Sequence, residues 1–177
     1  MKKVSLFLVE IILSVCAINP STYGQTSSSF NKEAFAKSVA TASNEDKLAL
    51  ESIKSINARM YKDFSSKFKN ATDIHTNAVD NSTVISCNAD GKFSRILYDR
   101  KGHWQHTISS YDNEKLPLNV REVIEDVYPR YEIFGAAVEV TVGDGTAYLV
   151  TIENKTSWKR IKVVNGETEV YEEYEKR

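Results

Sequence analysis

The sequence predicts an α+β protein made of two tandem units, each a helix followed by four short antiparallel strands. Two observations carry this. From about Lys47 to the end, one helical apolar stripe followed by a run of short alternating segments occurs twice. In addition, Phe93-Ser94-Arg95-Ile96 in the first copy is echoed by Trp158-Lys159-Arg160-Ile161 in the second, each at the middle of its strand run. The units are assigned to residues 44–112 and 113–177, and they are small enough to fuse into one compact domain.

The N-terminal residues read as an export signal. Lys2 and Lys3 give a positive start, Val4 to Ala17 is largely apolar, and small or polar residues follow in Ser21-Thr22-Tyr23-Gly24-Gln25. The apolar stretch is short and interrupted by Glu10, whereas a bilayer span needs about 20 residues, so the mature chain is expected to have no transmembrane span. Residues 1–24 are therefore assigned to a signal peptide, with cleavage after Ala17 as the alternative. Leu13-Ser14-Val15-Cys16 also resembles a lipoprotein signal, but Val15 is bulky where that signal needs a small residue, so anchoring through Cys16 is the lesser expectation. The expected location is the periplasm or the cell exterior.

Loss of residues 1–24 removes Lys2, Lys3 and Glu10 and moves the net charge from −1 to −2. Lys and Arg are interleaved with Asp and Glu and form no basic stripe, which argues against a nucleic-acid partner. The mature chain keeps one cysteine, Cys87, and so has no internal disulfide. Cys87 lies in Val84-Ile85-Ser86-Cys87, a setting that suits a buried small hydrophobe better than a reactive thiol.

The elements follow in order. Residues 25–43 form a Ser-rich flexible lead-in, in which Phe30, Phe35 and Val39 allow a short helix. Ser43 can cap a helix with Asp46 closing a weak capping box. From there Ala49, Ile53, Ile56, Met60, Phe64 and Phe68 recur at three- or four-residue steps, predicting a single helix with one buried face. Strands are expected over Thr72–Val79, Thr83–Asn88, Lys92–Tyr98 and His103–Tyr111, separated by Asp80-Asn81, Asp90-Gly91 and Asp99-Arg100-Lys101-Gly102. A meander is the simplest topology for hairpins in series. The second unit opens at Leu116-Pro117 and carries the stripe Val120, Val123, Ile124 and Val127 before Pro129 stops the helix. Strands then run near Tyr131–Val142, Thr146–Glu153, Ser157–Val164 and Thr168–Tyr174. Asn165-Gly166 is the strongest hairpin signal in the chain.

The second half resembles the secreted bacterial PepSY-like domain family, also described as β-lactamase-inhibitor-like (BLIP-like). The matching residues are Leu116-Pro117, Val120, Ile124, Tyr128-Pro129, Tyr131, Ile133, Tyr148, Val150, Ile161, Val163 and Asn165-Gly166. The first half matches through Phe64, Phe68, Ile96, Tyr98, Asp99 and Gly102, but lacks the Leu-Pro opening and the Tyr-Pro close. The resemblance implies helices packed on one face of an antiparallel sheet, with the other face open.

Chemistry is sparse. His103 and His106 are three apart on an expected strand, so they point to opposite faces and read as an accidental surface pair rather than metal ligands. No Gly-x-Ser-x-Gly, His-Glu-x-x-His or phosphate loop occurs, so no catalytic residue, metal or cofactor is expected. The acidic run Glu167, Glu169, Glu172, Glu173 and Glu175 suits an exposed edge that must avoid pairing. Alternation places Ile161 and Val163 on one face and Trp158 with Arg160 on the other, and Phe93 with Arg95 repeats this opposite Ile96 and Tyr98. Aromatics beside arginines are the residues enriched at binding hot spots. Trp158, Arg160, Phe93 and Arg95 are therefore the candidate anchors for a protein or peptide, with Tyr148 and Trp104 as further candidates for that surface. The competing explanations are cross-strand aromatic–Arg pairing that simply covers the sheet and a reversed facing that puts Trp158 in the core. The expectation is a non-enzymatic exported binding module. Its rivals are an inhibitor of an exported hydrolase, such as a β-lactamase or peptidase, and an envelope carrier of a small ligand or metal.

Overall fold

Ser43 begins the first helix by the capping box that the sequence predicts. Its hydroxyl accepts from the Asp46 amide at 3.1 Å, while the Asp46 carboxylate accepts from the Ser43 amide at 3.2 Å. The structure, a computed structural model, describes residues 43–176. The expected signal, Cys16 and all but the last residue of the lead-in lie outside the described residues.

The expected single helix is two helices, α1 (Asn44–Ile56) and α2 (Ala58–Lys67). Asn57 separates them with an extended backbone at φ −159°, and its side-chain oxygen accepts from the Arg59 and Met60 amides at 2.9 and 3.1 Å. Asparagine competes with the helix for backbone donors and caps a new one instead. The apolar spacing runs on across the break, so periodicity conceals it. Ile53, Met60 and Phe64 are fully buried, whereas Ile56, at the break, is 56 % exposed.

Eight strands follow: β1 (Thr72–Val79), β2 (Ser82–Ala89), β3 (Lys92–Asp99), β4 (Trp104–Asp112), β5 (Glu132–Val142), β6 (Gly145–Glu153), β7 (Ser157–Val164) and β8 (Glu167–Glu175). Between β4 and β5 lie a 3₁₀ turn at Asn113–Lys115 and helix α3 (Leu118–Val127). The strands form one eight-stranded antiparallel sheet in sequence order, the meander that serial hairpins predict. Asn165 and Gly166 both take positive φ (53° and 81°), as a tight hairpin turn with the right-handed strand twist requires. β4 pairs with β5 from His106↔Val142 to Asp112↔Ala136, so the sheet is continuous across the midpoint of the chain.

Directly paired residues share a face, and the register therefore assigns each side chain to a side. Ile85, Cys87, Ile96 and Tyr98 share one side and pack with Ile53, Met60 and Phe64. Val150, Ile152, Ile161 and Val163 continue that side and pack with Val120 and Ile124 of α3. All three described helices thus cover the same face. Val127, expected in the α3 stripe, is 54 % exposed at its end. α2 and α3 terminate alike: Phe68 and Tyr128 have φ/ψ of −116°/62° and −122°/57°, and their amides reach back to Phe64 and Ile124 at 2.9 and 2.8 Å. Lys69 stands where Pro129 does, so this ending does not need the proline.

Cys87 is 0 % exposed among these core residues. Burial, reinforced by the charge of Asp46, pushes its thiol up to about 12. At pH 8 the native protein is expected to be inert to a disulfide-exchange reagent and to react with one equivalent at Cys87 only after unfolding. Prompt labelling of the folded protein at Cys87 would contradict this packing.

Candidate binding face

No described helix packs on the second face of the sheet. On β3 this face carries Phe93, Arg95 and Leu97, and on β7 it carries Trp158, Arg160 and Lys162. Sequence alternation therefore placed the Phe93–Arg95 and Trp158–Arg160 pairs on the side away from the helices. Tyr148 and Trp104 lie on the other side. Tyr148 pairs with Glu139 and Val163 and packs against the α3 cluster, and Trp104 pairs with Tyr98 beneath Lys67 of α2.

The register also separates the two pairs. Phe93 lies opposite Ser110, then Val138, Leu149 and Lys162 on successive strands. It is thus level with Lys162, four residues along β7 from Trp158. Four strand spacings add about 19 Å between β3 and β7. They are two sites, not one cluster.

The β7 pair is engaged by β8. Trp158 stacks on Tyr174 with centroids 4.3 Å apart, and Arg160 bonds Glu172 at 3.1 Å. Lys162 pairs with Glu169, and Lys159, on the helix side, with Glu173. Three of the β8 acids therefore form a cross-strand ladder with β7. On β3 the situation differs. Arg95 is exposed, lies 5.6 Å from the Phe93 ring centroid on its own strand, and has no ion-pair partner among the described residues.

Between the two pairs lies a feature that the aromatic–arginine pattern does not mark. Val138, Val140 and Val142 alternate along β5 on the helix-free side, where they join Ile108, Ala147, Leu149, Val164 and Tyr171 in a third apolar cluster. One transverse row reads Arg95, Ile108, Val140, Ala147, Val164. Val140 and Ala147 are fully buried, while Ile108, Val138, Val142 and Val164 remain partly exposed. The signal was legible in Val138-Glu139-Val140-Thr141-Val142, whose apolar residues take the face opposite the helices.

His106 also faces this side, level with Leu97 and Val142, and is half-buried rather than a surface residue. Burial holds its imidazole below the ordinary range, so it is neutral at pH 7. His103 instead bonds Asp99 through Nδ1 at 3.1 Å and meets Arg59 of α2 through Nε2. Among the described residues no group of three or more His, Cys, Asp or Glu side chains is placed to hold a metal ion. No described helix is long and apolar enough to cross a membrane.

The fold and this face define a class: an α+β protein with its described helices on one side of an eight-stranded antiparallel meander and, opposite, a partly apolar side on which no described helix packs. Among solved structures the chain is similar to a BLIP-like protein from Bacteroides fragilis, at 18% identity and a TM-score of 0.50, over 67% of this chain and 85% of that one. It is also similar to a DUF2874 family protein from Bacteroides uniformis, at 10% identity and a TM-score of 0.49, over 67% and 88% of the two chains. The first likeness establishes a BLIP-like fold. No protein-family model matches the chain, and no curated protein does.

Proposed function

We propose that this protein is an exported, non-enzymatic binding module of the PepSY-like type, two tandem helix-plus-four-strand units fused through β4 and β5, which docks a protein or peptide on the helix-free face. The observation that carries this reading is the arrangement on that face: one exposed arginine with no ion-pair partner among the described residues, beside the partly exposed aliphatic side chains Ile108, Val138, Val142 and Val164. A guanidinium beside apolar surface suits a segment that offers a carboxylate next to apolar residues. Because Trp158 and Arg160 are already held by Tyr174 and Glu172, the β3 end of the face is the stronger anchor.

A photo-crosslinking residue placed at Phe93 tests this in cells that express the protein. The expected result is a discrete adduct that Arg95→Glu reduces at least about tenfold, the effect of losing a hot-spot contact. Arg160→Ala and Trp158→Ala are expected to reduce it less. The same adduct from a crosslinker at the exposed helix residue Leu118, or an adduct indifferent to Arg95→Glu, excludes the helix-free face as the docking surface.

A further inference from the structure

The helix side of the sheet is dry beneath α1 and α2 and again beneath α3, but it is polar between them. There a trough of about 430 Å³ is floored by Ser94, Thr107, Ser109, Glu139 and Thr141 of β3, β4 and β5. Trp104, Lys67 and Lys92 line its sides. Ser94 and Ser109 are 2 % and 6 % exposed and bond each other at 2.9 Å, although each hydroxyl has capacity for further bonds.

Glu139 is held in a particular way. Lys92 Nζ at 2.8 Å and Tyr111 Oη at 2.9 Å both donate to its Oε2, which leaves Oε1 with no hydrogen bond among the described residues. Lys92 is fixed in turn, its ammonium lying 4.4 Å from the Tyr111 ring centroid. The charges largely close on one another: Lys92 pairs with Glu139, and Lys67, over the Trp104 ring, pairs with Asp63 at 3.0 Å. Asp90, which also lines the trough, has no ion-pair partner among the described residues, so the trough offers donors and acceptors but no unpaired cation.

We infer that this trough binds a small neutral polyhydroxylated ligand, a mono- or disaccharide. Sugar hydroxyls donate and accept together, as do the Ser and Thr hydroxyls of the floor, and Glu139 Oε1 is a preoriented charged acceptor. Internal pairing of the lysines gives an anionic ligand no free cation to meet. Phe68 and Ala89 supply apolar lining of the kind that packs against a ligand's C–H groups, and the volume lies in the usual range for small-molecule sites, about 300–1,000 Å³. The trough is on the opposite side of the sheet from the proposed docking face, so either assignment can fail without the other.

Amide and indole NMR titration of the full mature chain with D-glucose, N-acetyl-D-glucosamine and maltose tests the inference, with D-glucuronate as the anionic arm. The expected result is a saturable shift, for at least one neutral sugar, at the Trp104 indole and the trough amides of β3 to β5. Thr141→Val, which keeps shape and strand preference, or Glu139→Gln is expected to weaken that response about tenfold. The inference is overturned if no neutral sugar gives a saturable shift there, if glucuronate alone does, or if neither substitution changes the response in a protein whose spectrum remains dispersed.

Discussion

Phe64→Ala is expected to lower the free energy of unfolding by about 3–5 kcal/mol, the usual cost of truncating a fully buried phenylalanine. Phe64 is 0 % exposed, stacks on Phe68 at 5.3 Å, and lies in the cluster that joins α1 and α2 to β1, β2 and β3. Few neighbours can collapse into the void, because Ile53, Met60 and Ile96 are themselves fully buried in the same cluster. Ile56→Ala and Val127→Ala, on exposed helix positions, serve as controls and are expected to change stability by less than about 0.5 kcal/mol. Urea unfolding measures all three. Two single-tryptophan forms extend the test, since Trp104 reports on the first half of the chain and Trp158 on the second. The β4–β5 pairing runs through the middle of the sheet, so both reporters are expected to share one midpoint in the wild type and to move together in Phe64→Ala. Separate midpoints would mean that the halves unfold independently.

The second large effect is expected at Asp46, which is 4 % exposed. One carboxylate oxygen closes the capping box with Ser43, and the other accepts from the Ile74 amide of β1 at 3.0 Å. This side chain therefore fastens α1 to the edge of the sheet. Burial opposes its ionisation, but the bonds from Ile74, Ser43 and Asp73 outweigh burial and hold its carboxyl below the ordinary carboxylate range. A depressed folded-state value means that the stabilisation is complete above the unfolded value of about 3.9 and is lost as pH falls through the folded value. Asp46→Ala removes the carboxylate half of the capping box and leaves the Ile74 donor unsatisfied, so a loss of about 2–4 kcal/mol at pH 7 is expected. Asp46→Asn keeps a capping oxygen and is expected to cost less while abolishing this residue's share of the acid-induced loss. Urea midpoints from pH 7 down to pH 3 measure both effects. An unchanged acid limb in Asp46→Asn would show that the buried carboxylate does not supply it.

Strand positions were legible to within a residue or so, because the punctuating pairs Asp90-Gly91 and Asn165-Gly166 take the positive φ angles that such turns demand. The facing of β3 and β7 was legible for the same local reason: a strict period of two assigns Trp158 and Ile161 to different sides once one side is known to be core. The helix break at Asn57 was not legible. The apolar stripe continues across it, and the residue's preference for the cap is realised against the β3–β4 turn, where a Cβ on Gly102 would come within 2.4 Å of Asn57 Oδ1. Nor was the engagement of the candidate anchors legible. Which of Arg95 and Arg160 finds a carboxylate depends on the strand beside it. β7 has acidic β8 as its neighbour, while Arg95 lies between Ser86 and Ile108.

The sequence alone determined the order of the strands, the antiparallel meander and, on β3 and β7, which residues share a face, since all three follow from periodicity and turn chemistry within a few residues. The tertiary structure alone decided that the four-strand runs form one continuous sheet and that Phe93–Arg95 and Trp158–Arg160 stand apart. It also decided that a valine-lined strip separates them and that Tyr148 and Trp104 face the helices. These depend on register between strands distant in the chain, which fixes neighbours that no local pattern encodes.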